Sequence, residues 1–241
     1  MPNAYFDFKQ FRIAQDRCAM KVSTDACIQG AWLATVFRQN NPATILDIGA
    51  GTGLLSLMLA QEVPHALITA VEINEDACAQ AAENVRNSPW AERVQVCGKA
   101  LQDMDDTSLY DAIICNPPFF HNHLESQDSH RSMARHSHTL SKEVLAEKVA
   151  QLLSADGKAG ILYPASEWDA WIRIARKAGL HIHSQLLIRP HLHKAPNRVV
   201  GLMSRQAHPQ TETTELCIYE SGSRTYTPEF IDLLNPYYLH L

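Results

Sequence analysis

The sequence predicts an α/β domain: a seven-stranded, mostly parallel sheet with helices on both faces and an antiparallel hairpin closing one edge. Three observations carry this. Between residues 44 and 115, short apolar runs alternate with longer amphipathic stretches, which is the rhythm of strands joined by crossover helices. The junction of the first such run with the first such stretch is the glycine-rich Gly49-Ala50-Gly51-Thr52-Gly53. Late in the chain two β-rich runs, 180–188 and 198–204, are separated only by Arg189 to Asn197, which holds two prolines, so they read as antiparallel closing strands.

Taken in order, Phe6 and Phe8 alternate with polar residues ahead of Ile13, which suggests a short ribbon before the main domain. Ser23-Thr24-Asp25 can cap a helix to about Phe37, with Cys27, Ile28, Ala31, Trp32 and Val36 on its apolar face. Strands follow at 44–48, 67–71 and 94–97, with helices at 53–62 and 75–87 between them. The run 111–115 is apolar enough to be buried on both faces. Residues 121–140 lack either periodicity and exceed ordinary connections, so they read as a functional or mobile loop. A helix over 141–153 is stopped by Asp156-Gly157, and 159–163 is a further strand. Ser166 and Asp169 have capping-box spacing for a helix to Ala178 that Gly179 ends. Residues 215–219 add an edge strand, and Thr227-Pro228 opens a terminal helix. No repeat or linker interrupts this, so residues 1–241 read as one domain, with 1–40 an N-terminal strand and helix extension.

Composition narrows the function classes. A chain of 241 residues suffices for one large α/β core, and its net charge of −5 excludes a general nucleic-acid coat. Any nucleic-acid contact must use a local basic patch. Cys18, Cys27, Cys78, Cys97, Cys115 and Cys217 lack CxxC spacing and read as buried free thiols of a reducing compartment. No leader-like apolar region and no run of membrane-span length is seen, so the expectation is a cytoplasmic protein. The histidine pairs His121/His123, His136/His138, His181/His183 and His191/His193 have no accompanying Cys or carboxylate set to complete a ligand shell, so no metal is expected.

Two stretches carry chemistry. Asn116-Pro117-Pro118-Phe119 directly follows the buried strand 111–115. Neither proline offers an N–H, so the strand ends in a stiff turn, at the strand edge where open α/β sheets bind ligands. The Asn116 side-chain oxygen and the Pro117 carbonyl can accept both hydrogens of a planar exocyclic amine while the Phe119 ring stacks on it, which suits methyl transfer to nitrogen. The glycine run, preceded by Asp47, lets the backbone turn tightly and approach a ligand at a helix N-terminus. Glu72, about twenty residues on at the next strand end, can take both ribose hydroxyls. A tight turn needs glycine for structural reasons alone; it is the three strand ends together that point to a nucleoside cofactor.

Asp47 to Gly53, Glu72 and Asn116 to Phe119 resemble class I S-adenosylmethionine-dependent methyltransferases acting on planar nitrogens. With 15–25 and Lys194-Ala195-Pro196-Asn197-Arg198 included, the chain is similar to the bacterial tRNA adenine-N6 methyltransferases, a family that modifies the adenine next to the anticodon of a valine tRNA. The resemblance implies a Rossmann-like fold and S-adenosylmethionine as cofactor. It also implies that Asp47, Gly49, Gly51 and Gly53 hold the methionine end, Glu72 the ribose, and Lys21, Thr24 and Asp25 cover the methionine portion. The third strand end offers Gly98-Lys99-Ala100-Leu101 where the family often has an acidic residue, so Ala100 can give only backbone contacts to adenine.

The expected catalytic set is therefore Asn116, Pro117, Pro118 and Phe119, with Asn116 also facing the cofactor. Arg12, Arg17, Arg131, Arg135, Lys194 and Arg198, with Phe119, are the expected contacts to a tRNA anticodon stem-loop. No DNA or membrane partner is expected, and a monomer is favoured. The rival readings are glutamine-N5 methylation of protein, methylation of ribosomal RNA, and a non-catalytic RNA-binding protein that keeps the cofactor fold.

Overall fold

The computed structural model describes residues 3–18, 20–104, 107–118 and 140–241. The chain opens with a two-stranded antiparallel ribbon, β1 (Tyr5–Asp7) and β2 (Arg12–Ala14), and then α1 (Thr24–Asn40), whose N-cap Ser23 accepts from the Ala26 N–H. The main sheet alternates β3 (Thr44–Ile48), α2 (Leu54–Glu62), β4 (Leu67–Val71), α3 (Glu75–Arg86), β5 (Val94–Cys97), a 3-10 turn (Leu101–Asp103) and β6 (Tyr110–Cys115). It continues with α4 (Lys142–Leu152), β7 (Leu153–Pro164), α5 (Ala165–Lys177), β8 (His181–His191), β9 (Arg198–Ser204), β10 (Glu212–Tyr219) and α6 (Pro228–Leu234).

The strand order is β10-β8-β9-β7-β6-β3-β4-β5, and β9 alone runs against the others. The sheet thus has eight strands among the described residues, the seven expected plus the edge strand β10, which pairs parallel to β8. Because all the other strands point the same way, the C-terminal ends of β3, β4, β6, β7 and β8 share one edge, where a ligand crevice is expected.

Residue alternation divides the core in two. Ile45, Ala112, Ile114, Leu162, Val200 and Leu202 face α1, α2 and α6, while Leu46, Ile48, Ile113, Ile161, Tyr163 and Val199 face α4 and α5. Trp171 is fully buried and Trp168 nearly so; Trp90 anchors its loop by an edge contact to Phe11 at 5.7 Å.

Three local expectations are corrected. Asp156-Gly157 does not end a helix. α4 passes directly into β7, and the pairing with β6 jumps from Tyr110/Leu153 to Ala112/Lys158, so the pair sits in an irregular bulge inside the strand. Ser166 does not cap α5 either: the helix starts at Ala165 with no side-chain cap, and the Ala165 N–H donates to the Asn197 carbonyl instead. All six cysteines are free, but only Cys27 and Cys115 are buried; Cys18, Cys78, Cys97 and Cys217 are partly exposed.

Candidate active site

The β3–α2 turn is built on left-handed backbone. Gly49 and Gly51 have φ of 68° and 56°, and a side chain at either would point into open space, so their conformation and the room beside them leave the backbone accessible to a ligand. The Gly49 and Ala50 N–H groups donate to the Val71 carbonyl at 2.9 and 3.0 Å, pinning the turn to the end of β4. Gly53, at φ 81°, stands at the start of α2, which has no side-chain cap. Asp47 is fully buried and faces α2: its Oδ2 accepts from the Ser56 N–H and Oγ–H at 3.1 and 2.6 Å, while Oδ1 has no partner among the described residues. Burial pushes its carboxyl up to about 6.

Glu72 follows β4 with its carboxylate held at both ends. Oε2 accepts from the Gly51 N–H at 2.9 Å and Oε1 from the Asn74 N–H at 2.8 Å. Each oxygen retains acceptor capacity toward a pair of hydroxyls. Ala100 precedes the 3-10 turn in extended conformation, and its carbonyl accepts from the Asp103 N–H.

One strand over, Asn116, Pro117 and Pro118 leave β6 without regular structure. Cys115, beside them, is level with Ile48 of β3, so Asn116 and Gly49 both leave the sheet at the same height on adjacent strands. Asn116 Oδ1 is buried and has no partner among the described residues. A buried amide oxygen without a donor costs free energy, and a ligand N–H would satisfy it. Phe119, Arg131, Arg135 and nearly all of the 121–140 stretch lie outside the described residues.

The remaining expected residues are placed less tightly. Lys21 is exposed and donates to the Asn3 carbonyl at 3.2 Å; Thr24 is exposed at the start of α1. Asp25, expected at the cofactor, and Arg198, expected at RNA, are paired with each other at 3.0 Å. Arg12 pairs with Asp7 at 2.5 Å and Arg17 pairs with Glu83. Lys194 is exposed in the β8–β9 connection.

The sequence reading missed a set of buried amides. Gln80 and Asn84, one turn apart on α3, hold the segment that precedes α1. Gln80 accepts from the Arg17 N–H at 3.1 Å and donates to Asp16 at 2.6 Å. Asn84 binds both the N–H and carbonyl of Ala14 and the Thr52 carbonyl, each at 2.9 Å. Gln15 accepts from the Val22 N–H at 2.8 Å, and Gln29 of α1 donates to the Cys115 carbonyl at 2.8 Å, directly before Asn116. Polar residues at helix spacing on an otherwise apolar face were the available signal.

These features define a methyltransferase of Rossmann-like architecture, and comparison with known proteins agrees. The Methyltransferase small domain family matches residues 25–148. An O-methyltransferase structure from Agrobacterium tumefaciens, so described by prediction, superposes with a TM-score of 0.63 at 18% identity, covering 88% of this chain and 96% of that one. A type I restriction-modification methyltransferase subunit from Streptococcus thermophilus gives 0.61 at 15% identity, covering 90% and 53%. At such identities the likeness shows the fold. Among curated relatives, the tRNA1(Val) (adenine(37)-N6)-methyltransferase of Dyadobacter fermentans is 41% identical over 98% of both chains. Those of Tolumonas auensis and Phocaeicola vulgatus are 40% identical over 98% of this chain and 97% of the relative, and 39% over the full length of both. The chain belongs to this family of tRNA1(Val) (adenine(37)-N6)-methyltransferases.

Proposed function

We propose that the protein transfers a methyl group from S-adenosylmethionine to the N6 amine of adenine 37 in a valine tRNA. The observation that carries the chemistry is the buried Asn116 Oδ1, without a partner among the described residues, beside the glycine turn. The shared name of full-length relatives supports the substrate.

The residues present fit the cofactor: open space flanks Gly49 and Gly51, and Glu72 is oriented by two backbone N–H groups. Asp47 braces the turn through Ser56, Gly53 opens α2, and Ala100 borders the adenine side. Lys21, Thr24 and Asp25 belong to the 1–40 extension, which roofs the site within one 241-residue domain. When bound, S-adenosylmethionine supplies an activated methyl group on a sulfonium.

Asn116 Oδ1 and the Pro117 carbonyl accept the two amine hydrogens of adenine. This fixes the orientation of the nitrogen and raises the availability of its lone pair, so positioning supplies much of the rate. The two prolines keep that pair of acceptors rigid. Phe119 stacks on the ring. No strong base is required, because the amine loses its proton readily once alkylated. A base in an anticodon loop is splayed out to reach such a pocket, and Arg12, Arg17, Arg131, Arg135, Lys194 and Arg198 meet the phosphates around it. The enzyme acts as a cytoplasmic monomer; among the described residues no helix is long and apolar enough to cross a membrane.

The test is transfer of labelled methyl into tRNA, total protein and unmethylated DNA, with nucleoside mass spectrometry. The expected product is N6-methyladenosine in tRNA, with Asn116→Ala lowering kcat by roughly 10²-fold or more. Label in protein glutamine, or near-normal turnover in Asn116→Ala, overturns the reading.

A further inference from the structure

β8 continues where its neighbours stop. Pro164 at the end of β7 is level with Arg198 and, across β9, with Ile188; beyond that height β8 runs on to His191 with only β10 alongside. A tight turn closes the projection, with the Lys194 N–H donating to the His191 carbonyl and the Asn197 N–H to the Ile188 carbonyl, both at 2.9 Å. Arg189 braces it from below. Its guanidinium donates to the Leu192 and Lys194 carbonyls at 3.2 and 3.4 Å and pairs with Glu215 at 2.7 Å. The tip is thus fixed by backbone and by a neutralised cation, and it is not a floppy loop end.

What the tip presents is unusual for a solvent-facing turn. Leu192, 68% exposed, is the most exposed large apolar side chain among the described residues. His193 is exposed and stacks on His191 with centroids 5.6 Å apart and rings 18° from parallel. His191 meets Tyr219 at 5.4 Å, Tyr219 stacks on Tyr226 at 5.3 Å, and Tyr226 on buried Phe230 at 4.5 Å. A file of rings therefore runs from the core to the tip and ends in an imidazole with solvent on its outer side. Lys194 stands next to it.

The register fixes how far this lies from the chemistry. Cys115 is level with Ile161, so His191 stands about five residues above Asn116 and three strands to the side. At about 3.3 Å per residue and about 4.8 Å per strand, the separation is about 20 Å. That excludes contact with the amine held by Asn116 but is within the span of a folded RNA hairpin.

We propose that Leu192-His193-Lys194 is a second RNA contact, resting on the tRNA reading above, which selects the substrate by stacking on an unpaired nucleotide other than the target adenine. A flat imidazole and an apolar side chain match the face of a base, and a lysine beside them matches its phosphate. The core of a protein interface is depleted of charged groups, whereas the pocket that Leu192 lines is shared with Arg189, Glu215, Glu220 and Glu229 as well as Cys217 and Tyr219.

The experiment compares wild type with Leu192→Ala/His193→Ala on transcribed valine tRNA. The expected result is a KM for tRNA raised about ten-fold, with kcat within about two-fold. Cofactor affinity and melting temperature should be unchanged. Lys194→Gln should flatten the slope of log affinity against log salt by about 0.7. If wild type methylates tRNA and the variant's KM is unchanged, the tip contact is overturned and the activity stands. A wild type that transfers no methyl to tRNA overturns both. If the double variant melts early, His193→Ala, which alters only an exposed ring, gives the same comparison.

Discussion

Replacing Asn84 with alanine tests whether the N-terminal segment is part of the cofactor site. Asn84 is 3% exposed, and its amide makes three bonds: it accepts from the Ala14 N–H and donates to the carbonyls of Ala14 and Thr52, each at 2.9 Å. One side chain thereby ties the end of β2, the helix α3 and the β3–α2 turn together. Asn84→Ala removes all three bonds and strands their partners. At about 1 kcal/mol net per bond, the sum is about 3 kcal/mol; water reaching the half-buried Ala14 reduces this to about 2 kcal/mol at the least. That is a large share of a stability of about 5–15 kcal/mol. Thr52 lies between Gly51 and Gly53, so the loss should also loosen the turn and weaken S-adenosylmethionine binding by about ten-fold. Urea unfolding measures the first effect, as a midpoint lowered by about 1 M, and calorimetric titration of the cofactor measures the second. A stability within about 0.5 kcal/mol of wild type together with unaltered cofactor affinity would refute the reasoning, since it would mean that these bonds bear neither on the fold nor on the turn.

Asp47 makes stability depend on pH in a direction opposite to an ion-paired carboxylate. Its ordinary value is 3.8 and burial raises it to about 6, so between those values the folded protein keeps the proton that the unfolded chain has lost. Stability should therefore fall as pH rises across that window, by about 3 kcal/mol in the cofactor-free protein. Asp47→Asn, whose carbonyl can still accept from Ser56, should lack that component; parallel urea stabilities for both proteins at pH 4.5 to 7 would sink the assignment. Gly160→Ala and Gly201→Ala test close packing of helices on the sheet. A Cβ at 160 would stand 2.2 Å from Leu33 Cδ1, and at 201 2.1 Å from Trp168 Cη2, whose indole is held by a bond to Gln185 at 2.8 Å. Each should cost about 1–3 kcal/mol, seen as a lowered melting temperature; a wild-type melting curve would refute the contact.

Which parts of this molecule could be read from sequence follows from the range over which each signal acts. The turn at Asn116 is written locally, because two prolines end a strand whatever surrounds it. The glycines at 49, 51 and 53 mark where a left-handed backbone is permitted, although the bonds to Val71 and Glu72 that hold the turn come from the next strand. Asp156-Gly157 failed as a stop signal for the complementary reason. The same dipeptide serves a turn or a bulge, and pairing with Tyr110 and Ala112, more than forty residues away, decides between them. The buried amides lay further out of reach. Gln80 and Asn84 bind residues 64 and 70 positions away and Gln29 binds across 86, so nothing in their neighbourhoods names a partner.

The ion pairs alter what the basic residues can do. Arg12, Arg17 and Arg198 each sit beside a carboxylate, so each offers RNA less charge than a count of arginines suggests. With a net charge of −5, long-range attraction of RNA to the whole protein is weak, and selection has to rest on short-range contacts at the strand edge. On the reading proposed above, the exposed tip at 192–194 and the buried acceptor at Asn116 would be two such contacts about 20 Å apart, anchored on one sheet. Requiring both at once discriminates between RNAs more sharply than either alone, because an RNA that satisfies only one lacks the linked gain of the second.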